Sequence, residues 1–232
     1  MSLYLLLNLG SIAIPLLYSF EKRMNFIKWW KEVFLSIIIV AIIFIVWDII
    51  FTQQGIWGFN EKYLVGIHIF NLPLEEWLFF ICIPYACIFT HYAFQYFFPQ
   101  VRLSIKVTNG ITLVILITLL VVILVNHDKA YTFYNYLFLI VLLLYSLVAK
   151  IEQLRVFYIT FSIILIPFFI INGILTGSFI DEQVVWYNNY ENLGIRIGTI
   201  PVEDMGYAFT MLFVAIIFIE RFKKANFSDG SV

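Results

Sequence analysis

Five carboxylic acids stand where a strongly apolar chain should not hold them: Asp48, the adjacent pair Glu75-Glu76 and the adjacent pair Glu203-Asp204. Both pairs follow a proline at the same spacing, in Pro73-Leu74-Glu75-Glu76 and Pro201-Val202-Glu203-Asp204. Proline at the first helical position with acids in the first turn is also an ordinary helix start, favoured by the helix dipole. Two observations argue for more than a cap. The pattern occurs twice, and the apolar run after Asp204, residues 205–219, covers only about 22 Å at ~1.5 Å per residue against a ~30 Å hydrocarbon core. The last helix therefore crosses a bilayer only if its acid-bearing turn lies in or at the edge of the core, where acids are costly and mark function. In such a setting the charged form of a carboxyl is penalised and a second carboxyl adds to the penalty, so an acid pair is expected to share a proton. That provides a general acid beside a general base. Neighbours in a helical turn project about 100° apart, so the two acids of a pair serve different surroundings. Glu75 and Glu203 are expected to carry the chemistry with Glu76 and Asp204 in support, an order that spacing alone leaves reversible.

Around these acids the sequence places Asp48 and Asn172 at matching positions, and the aromatic residues Trp47, Trp57, Trp77, Trp186, Tyr85 and Tyr207 nearby. Ring faces stabilise a carbocation by the cation–π effect, but aromatic belts also mark membrane interfaces, and both readings stand. There is no GxGxxG or Walker motif, no paired aspartate-rich motif for magnesium diphosphates, and no serine or cysteine nucleophile beside a histidine. His68, His91 and His127 are scattered and read as packing or interfacial residues, and Cys82 and Cys87 as small core fillers. No metal and no cofactor are expected. Proton donation to, and removal from, an apolar substrate is what remains.

These residues need a membrane to hold them. Hydrophobic residues make up 62% of the 232 and charged residues 12%, with a mean hydropathy of +0.95; a soluble domain needs roughly a quarter charged. The net charge of −1 gives no sign of a nucleic-acid partner. Apolar runs at residues 3–20, 33–51, 77–98, 107–125, 131–148, 157–175 and a last one ending near Ile219 read as seven spanning helices. Lys22, Arg23, Lys28, Lys31, Arg102, Lys106, Lys150, Arg155, Arg221, Lys223 and Lys224 fall in alternate connections, against Lys62, Lys129 and Arg196 in the others. The positive-inside rule then predicts a multi-pass protein of the cytoplasmic (inner) membrane, with its N-terminus outside, its C-terminal tail in the cytoplasm and an uncleaved first span.

The chain also repeats itself. Residues 66–76 align without gaps on 194–204, and 48–52 on 172–176, with weaker support from Trp57-Gly58-Phe59-Asn60 against Trp186-Tyr187-Asn188. The expectation is an all-α integral membrane protein of two parallel three-helix repeats, 1–98 and 127–232, joined by a linking helix in 99–126. An axis along the membrane normal would relate the repeats, so matching acids share one depth.

At these residues the sequence resembles the membrane-integral lycopene cyclases of carotenoid synthesis. The resemblance covers nearly the whole chain. It is sharpest at Val184-Val185-Trp186-Tyr187, Gly194-Ile195-Arg196-Ile197 and Ile200-Pro201-Val202-Glu203-Asp204, seconded by Pro73-Leu74-Glu75-Glu76. It implies a fused, stand-alone cyclase without the synthase domain found in some members, with Glu75, Glu76, Glu203 and Asp204 needed for cyclisation. Tyr187 and Arg196 join the supporting set. Lycopene and other linear carotenoids would be the substrates, with membrane lipid and other carotenoid enzymes as partners. The implied reaction is a non-redox, proton-initiated closure of linear end groups to β-ionone rings, giving γ-carotene and β-carotene. A proton-coupled transporter and a cyclase or isomerase of another prenyl lipid are the alternatives, and a non-catalytic scaffold would require the acids to be plain helix caps. Acids at one membrane edge rather than its midplane count against transport. One composite site is favoured over two separate ones.

Overall fold

The computed structural model describes residues 2–229, with side chains described for residues 2–225. Met1 and the last residues of the expected tail, 230–232, lie outside the described residues. Seven α-helices follow one another: α1 Leu3–Tyr18, α2 Trp30–Gln53, α3 Leu74–Phe97, α4 Ile105–Val125, α5 Ala130–Val148, α6 Gln153–Leu175 and α7 Glu203–Asp229. Helices α2 to α7 are long and apolar enough to cross a membrane, whereas α1, with 16 residues, is shorter. Several helices begin before their apolar runs, because the first turns hold Lys31 and Glu32, Glu75 and Glu76, or Gln153. Polar side chains are at home in a first turn, where free backbone N–H groups await partners. Ser2 and Ser104 cap α1 and α4 in that way, each hydroxyl accepting from an amide three residues on.

Helices α3 and α7 form the centre. α1 packs on α3, α5 packs on α7, and both α2 and α6 pack on the central two, while α4 lies against α5. The core between them is apolar and aromatic, with Phe44, Phe80, Phe157 and Phe213 fully enclosed. Large apolar side chains also face outward, among them Ile42 and Val46 on α2 and Val114, Val121 and Leu124 on α4. An outer surface this apolar is stable only against lipid.

The fold is helical as expected, and the connections at the acid-bearing end add short strands to it. β1 (Trp57–Phe59) pairs antiparallel with β4 (Val185–Tyr187), joining the two long loops across the molecule. Two small hairpins precede the central helices: β2 (His68–Ile69) with β3 (Leu72–Pro73), and β5 (Arg196–Ile197) with β6 (Ile200–Pro201). Segments of two or three residues are too short to show alternation, so sequence periodicity misses them. In the ribbon Gly58 lies opposite Trp186. Asn60 N donates to Val184 O at 2.9 Å, and Asn188 N donates to Ile56 O at 2.8 Å. The crossing matches like with like when Gly58 is equated with Trp186, one residue away from the sequence match of the two tryptophans.

Gly58 has no room for a side chain, since a Cβ there would clash with the Trp186 ring. Gly58→Ala is expected to lower stability by about 1–3 kcal/mol through overpacking, read as a drop in thermal midpoint in detergent. Adding Trp186→Ala should restore most of the loss; a double variant no more stable than Gly58→Ala would contradict this account of the ribbon.

Candidate functional site: carboxyls facing an apolar cavity

Each central helix begins where its hairpin closes. Leu74 N donates to Ile67 O at 2.8 Å and Val202 N to Ile195 O at 3.1 Å, and Pro73 enters α3 with extended backbone. The first acid of each pair then turns back toward the preceding loop. Glu75 Oε1 accepts from Val65 N and from Ser2 Oγ, both at 2.6 Å. Glu203 Oε1 accepts from Leu193 N and from Thr132 Oγ1, both at 2.7 Å. The backbone carbonyls of these two acids receive matching amides, Asn8 Nδ2 at 2.8 Å and Asn135 Nδ2 at 2.7 Å. Both acids are wholly buried and act as brackets between a helix start, a loop and the neighbouring helix.

The second acid of each pair faces the other way. Glu76 accepts from the Tyr4 hydroxyl. Asp204 Oδ1 accepts from Tyr131 OH at 2.6 Å, and its Oδ2 from Tyr187 OH at 3.0 Å and Asn172 Nδ2 at 3.5 Å. From α2, Asp48 Oδ1 accepts from the Trp57 indole and from Thr52 Oγ1 at 3.3 Å, with Oδ2 left without a donor among the described residues. Asp48 and Glu76 lie close enough for their carboxyls to interact directly. Tyr187 stands in the ribbon outside the helices; burial, and then the neighbouring Asp204 carboxyl, push its hydroxyl well above the ordinary tyrosine range and keep it a donor.

Glu76, Asp204, Asp48 and Asn172 all line one cavity of about 360 Å³. Tyr4, Tyr131, Tyr187, Tyr207 and Trp57 surround them, and the rest of the wall is mostly apolar, running along α1, α3, α6 and α7. Glu75 and Glu203 do not line it. Of the other residues singled out, Trp47 packs against Phe44, Phe51, Phe138 and Tyr207 at 5.5–6.1 Å without reaching the cavity. Trp77 stacks on Phe70, and Trp186 lies half-exposed over Gly58. Arg196 binds Thr199 O at 2.6 Å and Asn189 Oδ1 at 2.9 Å, and its guanidinium lies 5.8 Å from the Tyr187 ring. Tyr85 belongs to the opposite, basic end, bonded to Ser19 Oγ at 2.6 Å and Trp30 Nε1 at 2.9 Å. His91 is buried there too, between Thr160 and Gln95. Among the described residues no group of three or more His, Cys, Asp or Glu is placed to hold a metal ion.

Sequence reasoning missed Tyr4, Asn8, Tyr131 and Asn135. The signal was present: a tyrosine and, four residues on, an asparagine occur in the first helix of each half, inside otherwise apolar runs.

The fold and the cavity define a helical membrane protein that aims carboxyls and phenols into an apolar chamber. A family model described as lycopene cyclase matches residues 1–95 and 128–222, two stretches of equal length that leave α4 in the gap between them. The chain belongs to the lycopene cyclase family. No curated protein and no solved structure matches it. Membership supports an enzyme of carotenoid biosynthesis that cyclises a carotenoid in a membrane.

The bracket geometry separates two substitutions at one acid. Glu203→Ala leaves Leu193 N and Thr132 Oγ1 without their acceptor and is expected to cost about 1–3 kcal/mol, read as a lower thermal midpoint. Glu203→Gln keeps the Oε1 acceptor and should stay close to the parent. Equal losses for both would show that charge, not hydrogen bonding, holds the loop.

Proposed function

We propose that this chain is a lycopene β-cyclase working by proton transfer at one composite site. The observation that supports the reading is that acids from both proline–acid motifs, Glu76 and Asp204, share a single apolar cavity with Asp48. Two carboxyls buried side by side hold one proton between them rather than both ionising, so Asp48 and Glu76 form the general acid. Asp204 has the donors that an anionic carboxylate needs, from Tyr131, Tyr187 and Asn172. It serves as the base and as counter-charge to the cation. Glu75 and Glu203 position the helix starts and do not touch substrate.

In the reaction, a proton from the Asp48–Glu76 pair forms a new C–H bond at C2 of the terminal double bond and leaves a cation at C1. The C5=C6 electrons close the C1–C6 bond and move the cation to C5. Loss of the C6 proton to the base restores C5=C6 within a β-ring. Atoms and charge balance, the change is an isomerisation, and between turnovers the base gives its proton up to solvent while the acid pair is recharged from it. The rings of Trp57 and Tyr207, which line the cavity, lower the energy of the cations, and the dry wall protects them from capture by water.

The proposal includes the wider architecture. Two parallel three-helix repeats joined by α4 are supported by the swapped packing of α2 and α6 on both central helices, the matched brackets and the ribbon crossing. The distribution of Lys and Arg supports a cytoplasmic basic end, with the acids toward the outer face.

In cells that accumulate lycopene, expression of this chain should yield ring-bearing pigments on chromatography. Glu76→Gln, Asp204→Asn and Asp48→Asn should each reduce formation of both rings by roughly 10²-fold or more, with protein still present in the membrane. Reaction in D2O should deposit one deuterium per ring, at C2. Unchanged lycopene beside well-folded parent protein would overturn the cyclase reading, and loss of only one ring in either motif variant would overturn the composite site.

A further inference from the structure

The two halves differ where they should be alike. Matching Tyr4 with Tyr131 and Asn8 with Asn135 sets Gly10 and Ser11 of α1 against Leu137 and Phe138 of α5. Matching Asp48 with Asn172 sets Phe44 and Trp47 of α2 against Phe168 and Ile171 of α6. On one side of the molecule Phe138 stacks on Phe44 at 5.8 Å and lies 6.1 Å from Trp47, so rings fill the cleft between α5 and α2. On the other side the equivalent cleft, between α1 and α6, is open. Gly10 and Ser11 line the cavity there, and a Cβ on Gly10 would meet nothing within 4 Å.

The cavity is closed toward the acid-bearing surface and not toward lipid. At that end Tyr4 packs with Leu175 and Val184 in one buried cluster, and the β1–β4 ribbon contributes Trp57, Phe59, Val185 and Tyr187 to the wall. Further along, the walls are Gly10, Ser11, Ile14 and Pro15 on one side and Pro167 and Phe168 on the other. Ile14 is 66% exposed, on a surface that faces hydrocarbon.

We propose that the cleft between α1 and α6 is a lateral portal through which an apolar, chain-like substrate enters from the bilayer end first, and that the pseudo-equivalent cleft between α5 and α2 is plugged by Phe138. The assignment rests on the cyclase reading for the identity of the substrate. A linear carotenoid is about as long as the ~30 Å hydrocarbon core is thick, too long for a cavity of about 360 Å³ to enclose. Its end group reaches Glu76 and Asp204 while its remaining length lies in the cleft and the lipid. Each molecule therefore has one end processed per visit, whatever the far end carries.

The test transplants the plug. Ser11→Phe, the residue found at the matching place in the other half, and Gly10→Leu are each introduced into the full chain and assayed in liposomes containing lycopene. Both should lower kcat/KM at least tenfold while the thermal midpoint in detergent stays within a few degrees of the parent. Val114→Phe, on the lipid-facing side of α4, should leave the rate unchanged. A linear carotenoid carrying a bulky polar group at one end should still be cyclised at its free end by the parent protein. Parental rates for Ser11→Phe and Gly10→Leu, or refusal of the end-blocked substrate by a parent that cyclises lycopene, would overturn the portal. A parent that leaves lycopene itself unchanged would instead overturn the cyclase reading. Should Ser11→Phe fail to fold, Gly10→Leu alone decides the matter.

Discussion

A carboxyl group can be buried beside hydrocarbon only if donors meet it, and much of this molecule is arranged to supply them. Water is absent from the bilayer interior, so every donor has to come from the chain. Loops of the acid-bearing end fold back to offer backbone amides to Glu75 and Glu203. The helices packed beside the two central ones offer a tyrosine and an asparagine each. The hairpins, the ribbon and the register of α1 on α3 and α5 on α7 are all tied to this one requirement. Within each acid pair the requirement divides the work. One acid is held by the scaffold through its Oε1, and the other, turned through about 100° along the same helical turn, is left to the cavity.

Much of this was legible in the sequence. Lipid leaves long apolar runs, and α2 to α7 were visible as such because few polar groups interrupt them. The acids were legible because a charge near the membrane is costly and the motif occurs twice. Which acid of each pair enters the cavity was not legible, because adjacent residues differ only in azimuth and the azimuth depends on where the neighbouring helices pack. Tyr4 and Asn8 were missed for a related reason. A single phenol or amide in an apolar run carries no signal until its partner across the bundle is known. The tryptophans divide similarly: Trp57 reaches the cavity, Trp47 fills the core and Trp77 stays at the rim, and composition gives all three the same weight.

The likeness between halves is strongest in the brackets and weakest along the clefts. The partners of Glu75 and Glu203 correspond one to one, since the same loop geometry has to be held twice. The cleft walls have no such obligation. There α1 keeps small side chains, while at the matching place α5 carries a ring that stacks on α2.

The pairing of Asp48 with Asn172 has a consequence for design. A molecule made from two copies of the second half would bring together two amides and two aspartates, with no adjacent acids to hold a loose proton. A molecule made from two copies of the first would crowd four carboxyls into one chamber, where mutual repulsion works against closure. Neither symmetric molecule would possess the donor and the acceptor at once. Inequality between the two sets of side chains, rather than their likeness, is what would let a single chamber both give and take.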